Sequence, residues 1–455
     1  MKRQTDLTRG EPGRLLLLFA LPLLLGNLTQ QLYTLVDTSV IGNRIGLYAL
    51  SAIGSADRLI WLMQNLLIGL TAGFSVRAAI LTGEGDRVAL RRCVARSTLM
   101  TLFAAVTVAV LGELLASPLL ALIRSPIASR PIALSYVRVI VLGLPVTGLY
   151  QLFSGVLRST GDSKTPFAAM FATSLLNIGL DLFFIVVLKT GVWGAAAATI
   201  LAQAVGGVWC FLALRRAELT RFTKEEKMPD PASDRTLLRL GLPVAAMNIL
   251  IGLSGFAVQV AVNRHGDFVA AGMTTAEKLY AVLEIFGASL GYAAAAYAGQ
   301  NRGANQPGRI RKGLGRGILL ALAVSLPFTL LLLIAGDGIV GMMVRDEAGA
   351  EITFAVGTAH LRVIAIALPF VFLIILFRST LQGVGNTLLP MAGGWAELVL
   401  RCIWALGVCP FVGEWGILYI NVCAWVGSLA VTGIGCAVLN LRLKKEAGRS
   451  VPATS

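Results

Sequence analysis

Apolar residues fill this chain in long runs, separated by short polar turns. A run of about 20 predominantly apolar residues is long enough to cross a ~30 Å hydrocarbon core as a helix. Twelve such runs stand at approximately 15–42, 50–80, 91–117, 130–155, 164–188, 191–214, 237–263, 269–298, 314–343, 353–377, 388–410 and 414–440. Several exceed a straight span, which predicts tilt, kinks or extension into solvent. The first run has the basic flank and apolar stretch of a secretory signal. It lacks an A-x-A site and continues to Val40, so it is expected to be a retained first span. The pattern predicts an all-α integral membrane protein.

The one long charged stretch, RRAELTRFTKEEKMPDPASDRTLLR (Arg215 to Arg239), falls between the sixth and seventh runs. It divides the chain into a first lobe over 1–214, a linker over 215–239, a second lobe over 240–443 and a tail over 444–455. The lobes repeat one another. LPLLLGN (Leu21 to Asn27) matches LPVAAMN (Leu242 to Asn248) at an offset of about 221; LRSTGDSKTP (Leu157 to Pro166) matches LQGVGNTLLP (Leu381 to Pro390); GVWG (Gly191 to Gly194) matches GEWG (Gly413 to Gly416). Six spans lie between copies, so both lobes keep the same orientation, related by a pseudo-two-fold axis along the membrane normal, as parallel repeats in transporters are.

Composition agrees: 56% of residues are hydrophobic and 14% charged, against about 25% charged in soluble domains. The net charge of +15 reads as topology rather than nucleic-acid binding, because Lys and Arg collect in cytoplasmic loops. With both termini cytoplasmic, about two thirds of the 39 Lys and Arg fall on that side, Arg378 counted among them. The six cysteines lie mostly in apolar runs without a CxxC pair, which implies neither a zinc site nor a disulfide framework. No HExxH or GxxxxGK[ST] occurs, and the glycine-bearing RSTGDSKTP and GQNRGANQPG read as tight cytoplasmic turns. No enzyme and no cofactor are expected.

Acids inside spans carry the functional signal, since a carboxylate at bilayer depth costs at least ~2.5 kcal/mol. LLNIGLDLFF places Asn177 and Asp181 four apart, on one helix face; YTLVDTSVIGN does the same for Tyr33 and Asp37, and Gln30 continues that face. Thr199 lies in the small-residue run GAAAATILAQ of the sixth span. Asp37, Asn177, Asp181 and Thr199 form a set of oxygen donors suited to a shared proton or a small dehydrated cation; the alternative is acids at span ends that touch solvent or pair with an Arg. The second lobe has no acid at the matching places: Val258 and Gln259 stand near the Asp37 position, Ala405 near Asp181 and Arg401 near Asn177. Glu284 is a further intramembrane acid. Glu397 and Arg401, at i,i+4, read either as a mutually neutral helical pair or as a wall of a substrate cavity. Asp57 with Arg58, and Glu277 with Lys278, are expected at the solvated outer ends of spans.

LVDTSVIG, FSGVLRSTGDSKTP followed by LLNIGLD, GVWGAAAATILAQ, the LP-initiated seventh span and AGQNRGA together resemble the multidrug and toxic compound extrusion (MATE) family, over essentially the whole chain. The acids of the first lobe make it most similar to the DinF-like branch; it departs from the NorM-type pattern, whose acids stand in the seventh and tenth spans. The resemblance implies the MATE/MOP fold and a monomeric inner-membrane antiporter that expels organic, often cationic amphiphilic, compounds while H+ or Na+ enters. Its partners would be small organic substrates and membrane lipids, with no nucleic acid. It implies Asp37, Asn177, Asp181 and Thr199 as the cation site, the only place for a metal ion, and that as Na+. Gln30, Tyr33 and Tyr136 would line the first-lobe pocket, and Gln259, Glu284, Glu397 and Arg401 are the second-lobe candidates for contact with substrate. A lipid or lipid-linked sugar flippase of the same superfamily, which prefers cationic side chains for its head group, is the competing reading.

Overall fold

The structure is a computed structural model that describes residues 5–122, 125–127, 129–344, 349–412 and 414–449. Lys2, Arg3, Gly413 and the end of the tail lie outside them. Among the described residues there are helices and no strands. In chain order they are α1 (Pro12–Arg44), α2 (Leu47–Glu84), α3 (Arg87–Leu122), α4 (Arg130–Leu142), α5 (Leu144–Ser159), α6 (Lys164–Asp181), α7 (Val192–Arg216), α8 (Lys224–Lys227), α9 (Pro231–Asn263), α10 (Asp267–Gly303), α11 (Pro307–Met343), α12 (Ala350–Gly383), α13 (Leu388–Cys402), α14 (Cys409–Val412) and α15 (Ile420–Arg449). Eleven helical stretches are long and apolar enough to cross a membrane, and α4 with α5 supplies a twelfth span bent by 48°. The expected single run over 130–155 thus breaks at Gly143. Pro145 disfavours helical geometry at the residue before it and withholds an N–H, which places the break where LGLP stands.

The helices group into two compact units. The first holds Leu21–Ala245 with the residues up to Asp6, and the second holds Leu7–Ala20 with Ala246–Ser455. The boundary therefore cuts α1 and α9 rather than falling at 214 and 240, and the linker belongs to the first unit. Three ion pairs tie it there: Arg91 to Glu226 at 2.9 Å, Arg92 to Asp230 at 3.5 Å and Arg96 to Asp234 at 2.6 Å. In the second unit the buried amides of AGQNRGA hold the backbone at Leu7. Gln300 Oε1 accepts from the Leu7 N–H at 3.2 Å, and Asn301 Nδ2 donates to the Leu7 carbonyl at 3.0 Å.

In α3 the inward face carries Ser97, Thr101, Ala105, Ala109, Gly112 and Ala116, all buried, while Leu99, Phe103, Val106, Val110 and Leu114 are exposed. That inversion of the soluble pattern is what lipid requires: small residues allow helices to approach, and large apolar ones face the acyl chains. Glycine permits one close helix approach in the first unit. A Cβ on Gly73 would stand 2.4 Å from Gly241 Cα, and one on Gly69 2.5 Å from Ala245 Cα, so a GxxxG face of α2 seats the first part of α9 backbone to backbone. Gly73→Leu is expected to cost about 1–3 kcal/mol by overpacking, read as a lowered thermal midpoint in detergent. An unchanged midpoint would mean that this crossing is loose.

The two copies of the fifth span share one irregularity. α6 runs into a six-residue π-helix, Leu182–Val187, and α13 into another, Ile403–Val408. π-segments are costly and concentrate at functional sites. Here each begins within two residues of a buried ionisable side chain, Asp181 in one copy and Arg401 in the other.

Candidate ion and substrate sites

In the first unit α1 contributes Gln30, Tyr33 and Asp37, α2 contributes Asp57, α4 Tyr136, α6 Asn177 and Asp181, and α7 Thr199. The α1 stretch is polar enough to need internal satisfaction, and Thr29, Thr34 and Thr38 each donate to the carbonyl four residues earlier. Gln30 lies against the Tyr33 hydroxyl one turn away. Asp181 is 1% exposed and Asn177 2%. With its nitrogen turned towards Asp181, the Asn177 amide donates to Oδ2 at 3.1 Å and accepts from the Thr199 N–H at 3.2 Å. The opposite orientation leaves one contact, to Thr199 Oγ1 at 3.4 Å, so the first satisfies the amide better. Asn177 thereby links α6 to α7.

The acids are left partly unsatisfied. Oδ1 of Asp181 and Oδ1 of Asp37 are buried and have no hydrogen-bond partner among the described residues. Asp37 and Asp181 lie within electrostatic reach of each other, and Tyr136 lies within reach of both and of Tyr33. The fold thus brings Asp37, Asn177, Asp181, Thr199, Tyr33, Gln30 and Tyr136 together. It adds Asp57, which faces both Asp37 and Tyr136. Asp57 stands almost three turns after the start of α2 at Leu47, with its side chain exposed. Among the described residues no three His, Cys, Asp or Glu side chains gather as metal ligands. What converges is a carboxylate pair with amide and hydroxyl groups, which a proton or a monovalent cation would complete.

In the second unit the polar residues make a different site. Glu397 pairs closely with Arg378, and Arg378 Nη2 also donates to Ser428 Oγ at 2.6 Å. Arg401 lies 3.9 Å from Glu397 and donates to the fully buried Ser254. The expected i,i+4 pair is therefore the longer contact, and Glu397 is held chiefly from α12. Arg378, counted on the cytoplasmic side, is a partly buried member of this cluster. Glu277, expected at a solvated span end, hydrogen-bonds Asn421 and faces Arg401. Glu284 is exposed, bonds to the Tyr280 hydroxyl and lies within reach of Glu397, Arg378 and Arg401. Tyr280 packs on Trp425 with ring centroids 5.4 Å apart. Gln259 stays outside: its amide donates to Asn263 one turn along its own helix at 2.7 Å. Two guanidiniums thus face three carboxylates, and Nε of Arg378 and of Arg401 are buried without a partner among the described residues.

A family model described as MatE matches residues 22–183 and again 243–405. The two matches begin as far apart as the two LP landmarks. The probable multidrug resistance protein YpnP of Bacillus subtilis is 25% identical, over 95% of this chain and 94% of its own length. An FAD transporter of Shewanella oneidensis is 29% identical, over 73% of this chain and 74% of its own. Among solved structures, a MOP superfamily transporter from Pyrococcus furiosus superposes with a TM-score of 0.89 at 21% identity, covering 97% of this chain and 98% of that one.

Proposed function

From the premise that this chain belongs to the MatE family of membrane transporters, we propose that it exports organic compounds by alternating access, driven by entry of H+ or Na+ at the first-unit acids. The observation that carries this reading is the pair of buried, unpartnered carboxylate oxygens on Asp37 and Asp181. Leaving charged groups so is costly unless something else completes them in part of the cycle. The names of relatives, multidrug resistance proteins among them, support the substrate class.

In the outward-open state the cation enters and neutralises the Asp37 and Asp181 pair. Asn177 and Thr199 supply further oxygens, and the π-segment after Asp181 lets the end of α6 adjust without breaking its ladder. The altered packing of α1 releases substrate outward and favours the inward state, where the cation leaves and new substrate binds. Coupling requires the cation to bind the two states differently, since equal affinity shifts nothing. The positive-inside balance puts both termini in the cytoplasm of a plasma membrane, and the protomer works alone. No bound cofactor takes part.

A second reading, export of a compound with an anionic head, draws on Arg378 and Arg401, whose Nε donors are unpartnered, and on the relative named an FAD transporter. Proteoliposomes with a pH gradient or a sodium gradient imposed separately test the coupling. Export driven by one of them, and by neither after collapse of that gradient, is expected; export indifferent to both would refute cation coupling.

A further inference from the structure

At one end of the first unit lies a cleft of about 1080 Å³ that the transport cycle above does not use. Its long wall is one stripe of α7: Val205, Val208, Trp209 and Leu212 follow at the i, i+3, i+4, i+7 spacing of a helix face. All four are between 43% and 58% exposed. The stripe ends on Arg216, and Arg87, at the start of α3, lines the same cleft. From Val205 to Arg216 the helix rises roughly 16 Å, the length of most of an acyl chain.

The charges at the mouth sort into two kinds. The carboxylates are engaged: Asp86 accepts from the Ala89 N–H at 2.9 Å, Asp162 from the Thr165 N–H and hydroxyl at 2.9 and 2.6 Å, and Glu218 pairs with Arg221 at 3.5 Å. Arg87 and Arg216 make no ion pair or side-chain hydrogen bond to a described residue. An exposed apolar track thus leads to two uncommitted guanidiniums at the end of the helices where the basic residues collect. Arginine forks match phosphate oxygens in pairs, and a tryptophan at this level suits the membrane interface.

The geometry points to a binding site for an anionic phospholipid, its phosphate held between Arg87 and Arg216 and one acyl chain laid along Val205, Val208, Trp209 and Leu212. Its placement in the cytoplasmic leaflet rests on the orientation proposed above; the site itself does not. In that leaflet the lipid would fill the cleft beside the GDSKTP turn that opens α6, and the membrane's anionic content would then act on the same lobe that carries the ion site.

The test uses the full-length protein in nanodiscs of phosphatidylcholine with a minor share of phosphatidylglycerol. Native mass spectrometry after mild extraction reads the lipid retained. The parent chain is expected to keep one phosphatidylglycerol in preference to phosphatidylcholine. Arg87→Gln and Arg216→Gln should each lower that preference about fivefold, and the double variant should abolish it. Trp209→Ala should weaken retention of both lipids together, and Arg215→Gln, which does not line the cleft, should change nothing. Equal retention of the two lipids by the parent, or an unchanged preference in the double variant, overturns the assignment. So does displacement of the retained lipid by a transported compound, which would make the cleft part of the export path. Because retention is read without transport, failure here leaves the export reading untouched, and loss of export in the first-unit acid variants leaves this site untouched.

Discussion

Asp181→Asn is expected to abolish cation-driven export while leaving the protein folded. Asn keeps the shape of the side chain and can hold the contact with Asn177, but it stays neutral at every stage of the cycle. The outward and inward states then lose their differential affinity for the cation, and with it the coupling. Coupling between sites is worth about 1–3 kcal/mol, roughly 5- to 150-fold, so uphill export should fall at least about fivefold. Asp37→Asn should act alike, because its unpartnered oxygen faces the same pocket. Asp57→Asn should cost less, since Asp57 is exposed and acts on the pair from outside it. Efflux of a fluorescent organic cation from everted vesicles measures the loss, and the thermal midpoint in detergent separates it from misfolding. Removing a buried unpaired charge should hold or raise that midpoint. Export at the parental rate in both Asp37→Asn and Asp181→Asn would end the assignment.

That site was legible because one helix face can be read directly from spacing. Asn177 with Asp181, and Tyr33 with Asp37, sit four residues apart in runs that must be helical, and the repeat showed that their counterparts lack acids. The elements around them were legible for the same reason: a span is a matter of length and apolarity. The bend at Gly143 was not read, although Pro145 stands two residues on. What escaped were features that depend on a partner far along the chain. Arg378 lies five residues before the end of α12, where a basic residue is equally at home reaching out to the headgroups. Only the folded chain brings it to Glu397, 19 positions later. Glu277 lies near the start of α10 and reads as interfacial until Asn421 is seen beside it. The π-segments left no signal, since their six residues are as apolar as any other turn of a span. Gln300 and Asn301 read as turn residues, although their amides are buried against the backbone of Leu7, which no local pattern announces.

The Arg378 and Glu397 pair should carry the largest stability effect in the second unit. Glu397 is buried, its side chain 3% exposed, and Arg378 is largely buried at 13%; among the described residues Ser428 is the one further hydrogen-bond partner of the Arg378 head. Glu397→Gln would leave that guanidinium with Glu284 alone facing it, and from an exposed position. Breaking a buried pair from one side costs about 3–5 kcal/mol, whereas replacing both members by apolar residues of similar volume is often neutral or stabilising. Glu397→Gln and Arg378→Met are therefore each expected to lower the thermal midpoint sharply, and Arg378→Met with Glu397→Leu to restore most of the loss. Arg401→Met should cost less, because its 3.9 Å contact to Glu397 is the longer of the two. A double-mutant cycle on thermal stability checks this: a coupling energy below about 0.5 kcal/mol, the level at which independent sites simply add, would show that the pair does not hold the unit together. Export by the restored double variant then divides the two roles. If the pair only braces α12 against α13, the apolar variant transports at the parental rate. If Arg378 also attracts an anionic head, the variant folds and still fails, selectively for anionic compounds, and the two carboxylates left around Arg401, Glu277 and Glu284, shift its preference towards cations.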